Sequence, residues 1–220
     1  MENQVDWIRA RSDEQIEQRI NEIVAATARL YKESRFEDIT FAMIAKEANF
    51  TRSNLYRYFE TKEDIFLELI KHDIEAWRAD VLENFTPENK SLRELAKAWV
   101  DLALKYKRMV KLFTILFTLL ERNASLEALT AFKGRINEEI GTVAQFLSIT
   151  LPFTSVEAAA EFISAQSSLA IGTYPMMELT LKQIEAMQTI GMDTSPEYYR
   201  DRLVRATELL LQGMMGNNNS

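Results

Sequence analysis

Residues 39–69 read ITFAMIAKEANFTRSNLYRYFETKEDIFLEL, and the fold follows from how this stretch divides. Thr40 precedes a short apolar-periodic run over 40–47, Ala48-Asn49-Phe50 interrupts it, Thr51 opens a second run over 51–59, and Thr61-x-x-Asp64 opens a longer third. Threonine suits each opening because its hydroxyl accepts an otherwise orphaned N–H of the first helical turn. A short helix, a tight turn and a second short helix make a helix-turn-helix. The turn needs a residue that tolerates positive φ, and Asn49 is the best non-glycine candidate. Leu55 and Phe59 lie one turn apart; with Phe50 they hold the second helix against Ile44 and Ala45. That leaves Arg52, Ser53, Tyr56 and Arg57 on its outer face.

Charge points the same way. The chain carries a formal −7, which would repel nucleic acid if spread evenly, yet over residues 40–62 Lys46, Arg52, Arg57 and Lys62 face only Glu47 and Glu60. A nine-residue helix is about 13 Å long, close to the roughly 12 Å width of the DNA major groove. Arginine reads guanine bidentately and asparagine reads adenine. Ser, Thr and Tyr hydroxyls, and Lys62, suit phosphates.

Beyond this stretch the chain reads as all-α. Its 220 residues hold six glycines and four prolines, far below the roughly 12% usual for the two together. Residues 1–86 contain neither, and Pro87, Pro152, Pro175 and Pro196 divide the remainder. Ser12-x-x-Gln15 and Ser91-x-x-Glu94 fit the capping box, Ser195 precedes a proline at a first helical position, and Ser125 and Ser155 are further caps. Apolar spacing then predicts helices over about 13–33, 40–47, 51–59, 62–84, 91–107, 109–122, 125–149, 155–173 and 196–214, with a further piece at 176–190 after a bend at Gly172 to Pro175.

Several chemistries lack their parts. There is no cysteine, and His72 is the only histidine, so thiolate nucleophiles, cysteine zinc sites, a Ser-His-Asp triad and multi-histidine metal sites have nothing to use. No catalytic residue, metal ligand or cofactor is expected. The most apolar uncharged stretch, Leu112 to Leu120, is nine residues against roughly 20 for a membrane span, so a cytoplasmic protein without membrane contact is expected.

The 39–69 stretch resembles the tetracycline-repressor (TetR) family of bacterial transcriptional regulators. The resemblance rests on Ile44-Ala45, Thr51, Leu55-Tyr56-x-Tyr58-Phe59 and Lys62-Glu63, with Asn49 where that family usually has glycine. It implies an N-terminal three-helix DNA-binding domain, residues 1–62, with helix 62–84 connecting, and a C-terminal helical ligand-binding and dimerisation domain, residues 63–220. It further implies a homodimeric, ligand-responsive repressor on a palindromic double-stranded operator, with an unidentified small-molecule effector. Contacts to DNA are expected from Thr40, Thr51, Arg52, Ser53, Asn54, Tyr56, Arg57, Tyr58 and Lys62. Arg9 and Arg11 would form either a minor-groove arm or a frayed terminus.

In the remainder, Trp99, Phe113, Phe117, Phe132, Phe162 and Tyr174 are the candidate lining of an effector pocket, although apolar residues at helical spacing are more often plain core. Small residues along 155–173 would let another helix approach closely, so this helix and 196–214 are the expected dimer face. The competing reading is an all-α small-molecule-binding protein or helical adaptor without DNA-binding activity.

Overall fold

In a computed structural model the chain is described over residues 2–153 and 155–215, with side chains from Glu14 onward. Among the described residues all regular structure is helical, so the all-α class holds: α1 (Glu2–Glu33), α2 (Phe41–Glu47), α3 (Arg52–Leu55), α4 (Lys62–Asn84), α5 (Leu92–Lys105), α6 (Lys107–Ile115), α7 (Glu121–Asn123), α8 (Leu126–Thr150), α9 (Val156–Met177), α10 (Leu181–Thr189) and α11 (Pro196–Met215). The described residues form two compact units, one within 2–71 and 118–132, the other within 72–117, 133–153 and 155–215.

The first unit is built on aromatic and branched aliphatic side chains. Phe66 is fully buried and takes the edges of Tyr31 and Phe36 at centroid distances of 5.4 and 4.9 Å. Ile23, Ile39, Ile44, Leu55, Ile65 and Phe132 are equally inaccessible. α4 starts with a closed capping box, because Asp64 N–H donates to Thr61 Oγ1 (3.1 Å) while Asp64 Oδ2 accepts from Thr61 N–H (3.1 Å) and Glu60 N–H (3.2 Å). The other oxygen, Oδ1, accepts from Ser125 N–H at 2.8 Å and ties in the start of α8.

The second unit packs α11 against α5 and α9, and α6 against α9 and α5. Its core holds Trp77, Val81, Phe85, Trp99, Leu147, Phe153, Phe162 and Leu203. Acidic residues of α4 anchor the surrounding helices: Arg108 grips Asp73 with two bonds (2.9 and 2.5 Å), Lys105 meets Asp80 at 2.6 Å, and Arg135 meets Glu75 at 2.7 Å. The Lys105 ammonium holds the Asp80 carboxyl below the usual carboxylate range against the opposing effect of burial, with Asn84 and Tyr106 adding hydrogen bonds. Glu139 is 3% exposed and bonded to Arg78 at 2.6 Å.

The expected caps at Thr40, Thr51, Ser91, Ser125, Ser155 and Ser195 all accept first-turn N–H groups. Four boundaries differ from expectation. α1 begins at Glu2 and runs past Ser12, since nothing in 2–11 breaks a helix. Arg9 and Arg11 lie outside the described side chains. The expected helix 51–59 is α-helical only over Arg52–Leu55; Arg57 N–H to Asn54 and Tyr58 N–H to Leu55 then wind tighter, as i→i+3 bonds do. The expected 109–122 helix starts earlier, at Lys107, and widens into a π turn over Leu116–Leu120. Finally, α9 passes through Gly172 and Pro175 to Met177: Pro175 lacks the N–H that would meet the Ile171 carbonyl, and the helix ends two residues later with Glu178 N–H on the Pro175 carbonyl.

Candidate nucleic-acid interface

The turn between α2 and α3 forms as its residues demand. Asn49 sits at φ +59°, the left-handed region, with its N–H on the Lys46 carbonyl (3.1 Å) and the Phe50 N–H on the Ala45 carbonyl (2.8 Å). These two bonds are the Schellman closure of a helix end. They send the chain to Thr51, whose Oγ1 accepts from Asn54 N–H at 3.1 Å and opens α3. Leu55 and Phe59 are buried as expected, at 0% and 8% exposure. The opposite face, Arg52, Ser53, Tyr56 and Arg57, is exposed.

Tyr56 is held in place. Its ring stacks on Phe41 at 4.5 Å and 25°, the Arg52 guanidinium stands 5.7 Å over its centroid, and Arg52 Nη2 donates to its hydroxyl oxygen at 3.2 Å. Because that oxygen accepts, its own proton remains free to donate. The same holds for Thr40 and Thr51, whose cap bonds use a lone pair and leave a donor on an exposed residue. Tyr58 is half-buried with its ring edge on Phe50 at 6.1 Å, and Asn54 is likewise partly covered. Phe41 was no part of the sequence expectation. Its spacing to Tyr56 follows no helical repeat, so nothing in the sequence announces the stack.

Lys62 has a different position from that expected of a phosphate ligand. Its ammonium donates to the Phe36 and Ile39 carbonyls at 3.0 and 2.9 Å and lies 4.2 Å over the Phe36 ring. Two of its three protons are therefore committed to the chain itself. The group locks the start of α4 to the segment entering α2.

The six aromatic candidates for an effector pocket do not form one set. Trp99, Phe162 and Tyr174 are buried in the second unit, at 2%, 1% and 4% exposure, and Phe113 packs at the edge of its core. Phe117 is 63% exposed, capped by the Lys133 ammonium at 5.0 Å, because the π turn rotates it outward. Phe132 belongs to the first unit, where it lines a cleft of about 380 Å³ with Tyr58, Leu67 and Ala128. Among the described residues no cluster of His, Asp and Glu has the makings of a metal site, and no helix is long and apolar enough to cross a membrane.

Comparison with known proteins places this geometry. Residues 23–69 match the profile of bacterial regulatory proteins of the tetR family, and residues 71–218 match the tetracyclin repressor-like C-terminal domain. Among curated proteins none matches the chain. Solved structures with the same fold include a TetR transcriptional regulator from Rhodococcus sp. RHA1, with 16% identity over 89% of this chain and 96% of that one and a TM-score of 0.56. Thermus thermophilus FadR, a TetR-family repressor solved with lauroyl-CoA, has 19% identity over 89% and 94%, with a TM-score of 0.55. A tetR-family regulator from Streptomyces coelicolor has 15% identity over 92% and 84%, with a TM-score of 0.55. With both of its parts matched and the helix-turn-helix closed around Asn49, this chain belongs to the tetR family of bacterial transcriptional regulators.

Proposed function

We propose that the protein represses transcription as a homodimer on a palindromic operator and releases it when a small molecule binds. Residues 1–62 form the DNA-binding domain in this reading, 63–220 the regulatory and dimerising domain, and the dimer works in the cytoplasm. Arg52, Ser53 and Asn54 read base edges, while Thr40, Thr51, Tyr56, Arg57 and Tyr58 hold phosphates. Lys62 acts by fixing the frame, through the Phe36 and Ile39 carbonyls. No catalytic residue is assigned. The observation that carries the reading is the exposed face of α3 and the tight turn that follows it: two arginines and a clamped tyrosine presented after a capped turn, in a stretch whose charge opposes that of the chain.

A two-fold dimer engages half-sites about 34 Å apart or a multiple of it, so an effector that changes the spacing of the two α3 segments breaks register. Selection from a random duplex pool at near-physiological salt tests this. The wild type should enrich an inverted repeat, and an Arg52→Ala/Tyr56→Ala variant should enrich nothing. Failure of the wild type to enrich any sequence overturns the reading.

A further inference from the structure

The core of the second unit is an aromatic cluster with two unmet hydrogen-bond donors inside it. Trp99 sets its ring against Trp77, Phe85 and Phe162 at centroid distances of 5.9, 5.4 and 5.3 Å, and Phe162 meets Phe153 at 5.6 Å. The Trp99 indole Nε1 is buried without a protein acceptor, and so is the Gln166 carboxamide Nε2. Both residues are 2% exposed. Gln166 follows Phe162 by one turn on the same face of α9, and the Trp99 ring packs on Phe162. The unit's other buried polar side chains are satisfied: Asp73 by Arg108, Asp80 by Lys105, Glu139 by Arg78, and Thr207 by the Leu203 carbonyl. A buried donor left unmet pays its full desolvation, and leucine at 166 or phenylalanine at 99 would remove that cost at similar shape.

We propose that these two N–H groups are the hydrogen-bonding end of the effector site, and that the effector is an uncharged compound carrying a carbonyl-type oxygen on an aromatic or broadly apolar body. The proposal rests on the ligand-responsive reading above and deepens it. Both orphans are donors, so a ligand must bring acceptor oxygen to meet them. Among the described residues of this unit no lysine or arginine is buried, so nothing at the cluster would neutralise a carboxylate or phosphate. The surrounding rings of Trp77, Phe85, Phe153 and Phe162 complement an apolar body. Because the donors are enclosed, the oxygen enters only when α5 and α9 part around Phe162. Such a ligand binds the parted state better than the closed one, and that differential affinity is what a switch requires.

The test uses the full chain and three probes that share a skeleton: benzophenone, diphenylmethane, which lacks the carbonyl, and 4-benzoylbenzoate, which adds a charge. Calorimetric titration should give benzophenone at least about tenfold tighter binding than diphenylmethane, the ratio a pair of otherwise unmet donors produces. Benzoylbenzoate should bind more weakly than benzophenone. In a ¹H–¹⁵N spectrum the Trp99 indole resonance, identified by its loss in Trp99→Phe, should move downfield with benzophenone and stay with diphenylmethane. Gln166→Leu and Trp99→Phe should each cut the preference for the ketone to under about threefold, and Gln166→Leu should raise the melting temperature of the free protein. Equal binding of ketone and hydrocarbon, no binding of the ketone, or a preference that survives both substitutions overturns the proposal. Should either variant fail to fold, the indole shift in the wild type decides, the Trp99 resonance then being the one retained in both Trp7→Phe and Trp77→Phe. Operator selection without any probe is scored separately, so loss of this site and loss of the repressor reading are told apart.

Discussion

Asn49 concentrates the residue-scale argument, since a single backbone angle there orients α3 and everything on its exposed face. An L-residue at φ +59° pays for the contact between its Cβ and its own backbone; asparagine pays less than most and glycine nothing. Asn49→Ala should therefore cost about 1 kcal/mol in urea unfolding, while Asn49→Gly should be neutral or slightly stabilising. Equal stability of the two variants would mean that the turn does not need the left-handed residue. This position was legible from sequence because the demand is local: few residue types fill that region of φ. Lys62 was not legible in the same way. Its place in a motif suggested a phosphate ligand, but its partners are carbonyls 26 and 23 residues earlier, and no pattern along the chain reports a bond across that distance.

Caps and apolar periods marked most elements, because both are set within one or two turns. What they missed were features decided by packing. α3 stops as an α-helix at Leu55, where Tyr56 turns onto Phe41, and the run from Leu116 to Leu120 widens to expose Phe117. The clasp between α4 and the α5–α6 junction is another such feature, and it titrates. Tyr106 donates its hydroxyl to the Ala76 carbonyl (2.9 Å) and lies 3.1 Å from Asp80 Oδ2. Burial first, then the hydrogen bond to Asp80 and the charges of Asp80 and Asp73, push its pKa from 10.0 up to about 12. A raised folded pKa means that the fold holds this proton more tightly than the unfolded chain does. The contribution is thus whole below pH 10 and is lost between pH 10 and about 12. Urea midpoints from pH 9 to pH 12 should fall more steeply for wild type than for Tyr106→Phe, with every other tyrosine and lysine common to both. Parallel curves would show that the phenol is not held as the geometry describes.

At the scale of the whole molecule the decisive quantity is the contrast between a chain of −7 and the cations clustered at residues 46–62. A uniformly acidic protein would be repelled by DNA at long range, so stable binding must come from a few close contacts, each releasing counterions from the duplex. Selectivity then hangs on very few side chains, and the two arginines of the α3 face should fail differently. Arg52 reaches forward from the first turn of α3 with its guanidinium set against Tyr56. Its replacement by alanine should relax preference at one position of each half-site and cost about 1–3 kcal/mol on the selected operator, with little loss on unrelated duplexes. Arg57 lies beyond the α-helical part of the segment, where a backbone contact is expected. Arg57→Ala should weaken every duplex alike and lower the slope of log affinity against log salt by about one for each half-site engaged. Titrations of the selected operator and a scrambled duplex across a salt series separate the two. A uniform loss for Arg52→Ala, or an unchanged slope for Arg57→Ala, would reverse the division between base reading and phosphate grip on which the repressor reading depends.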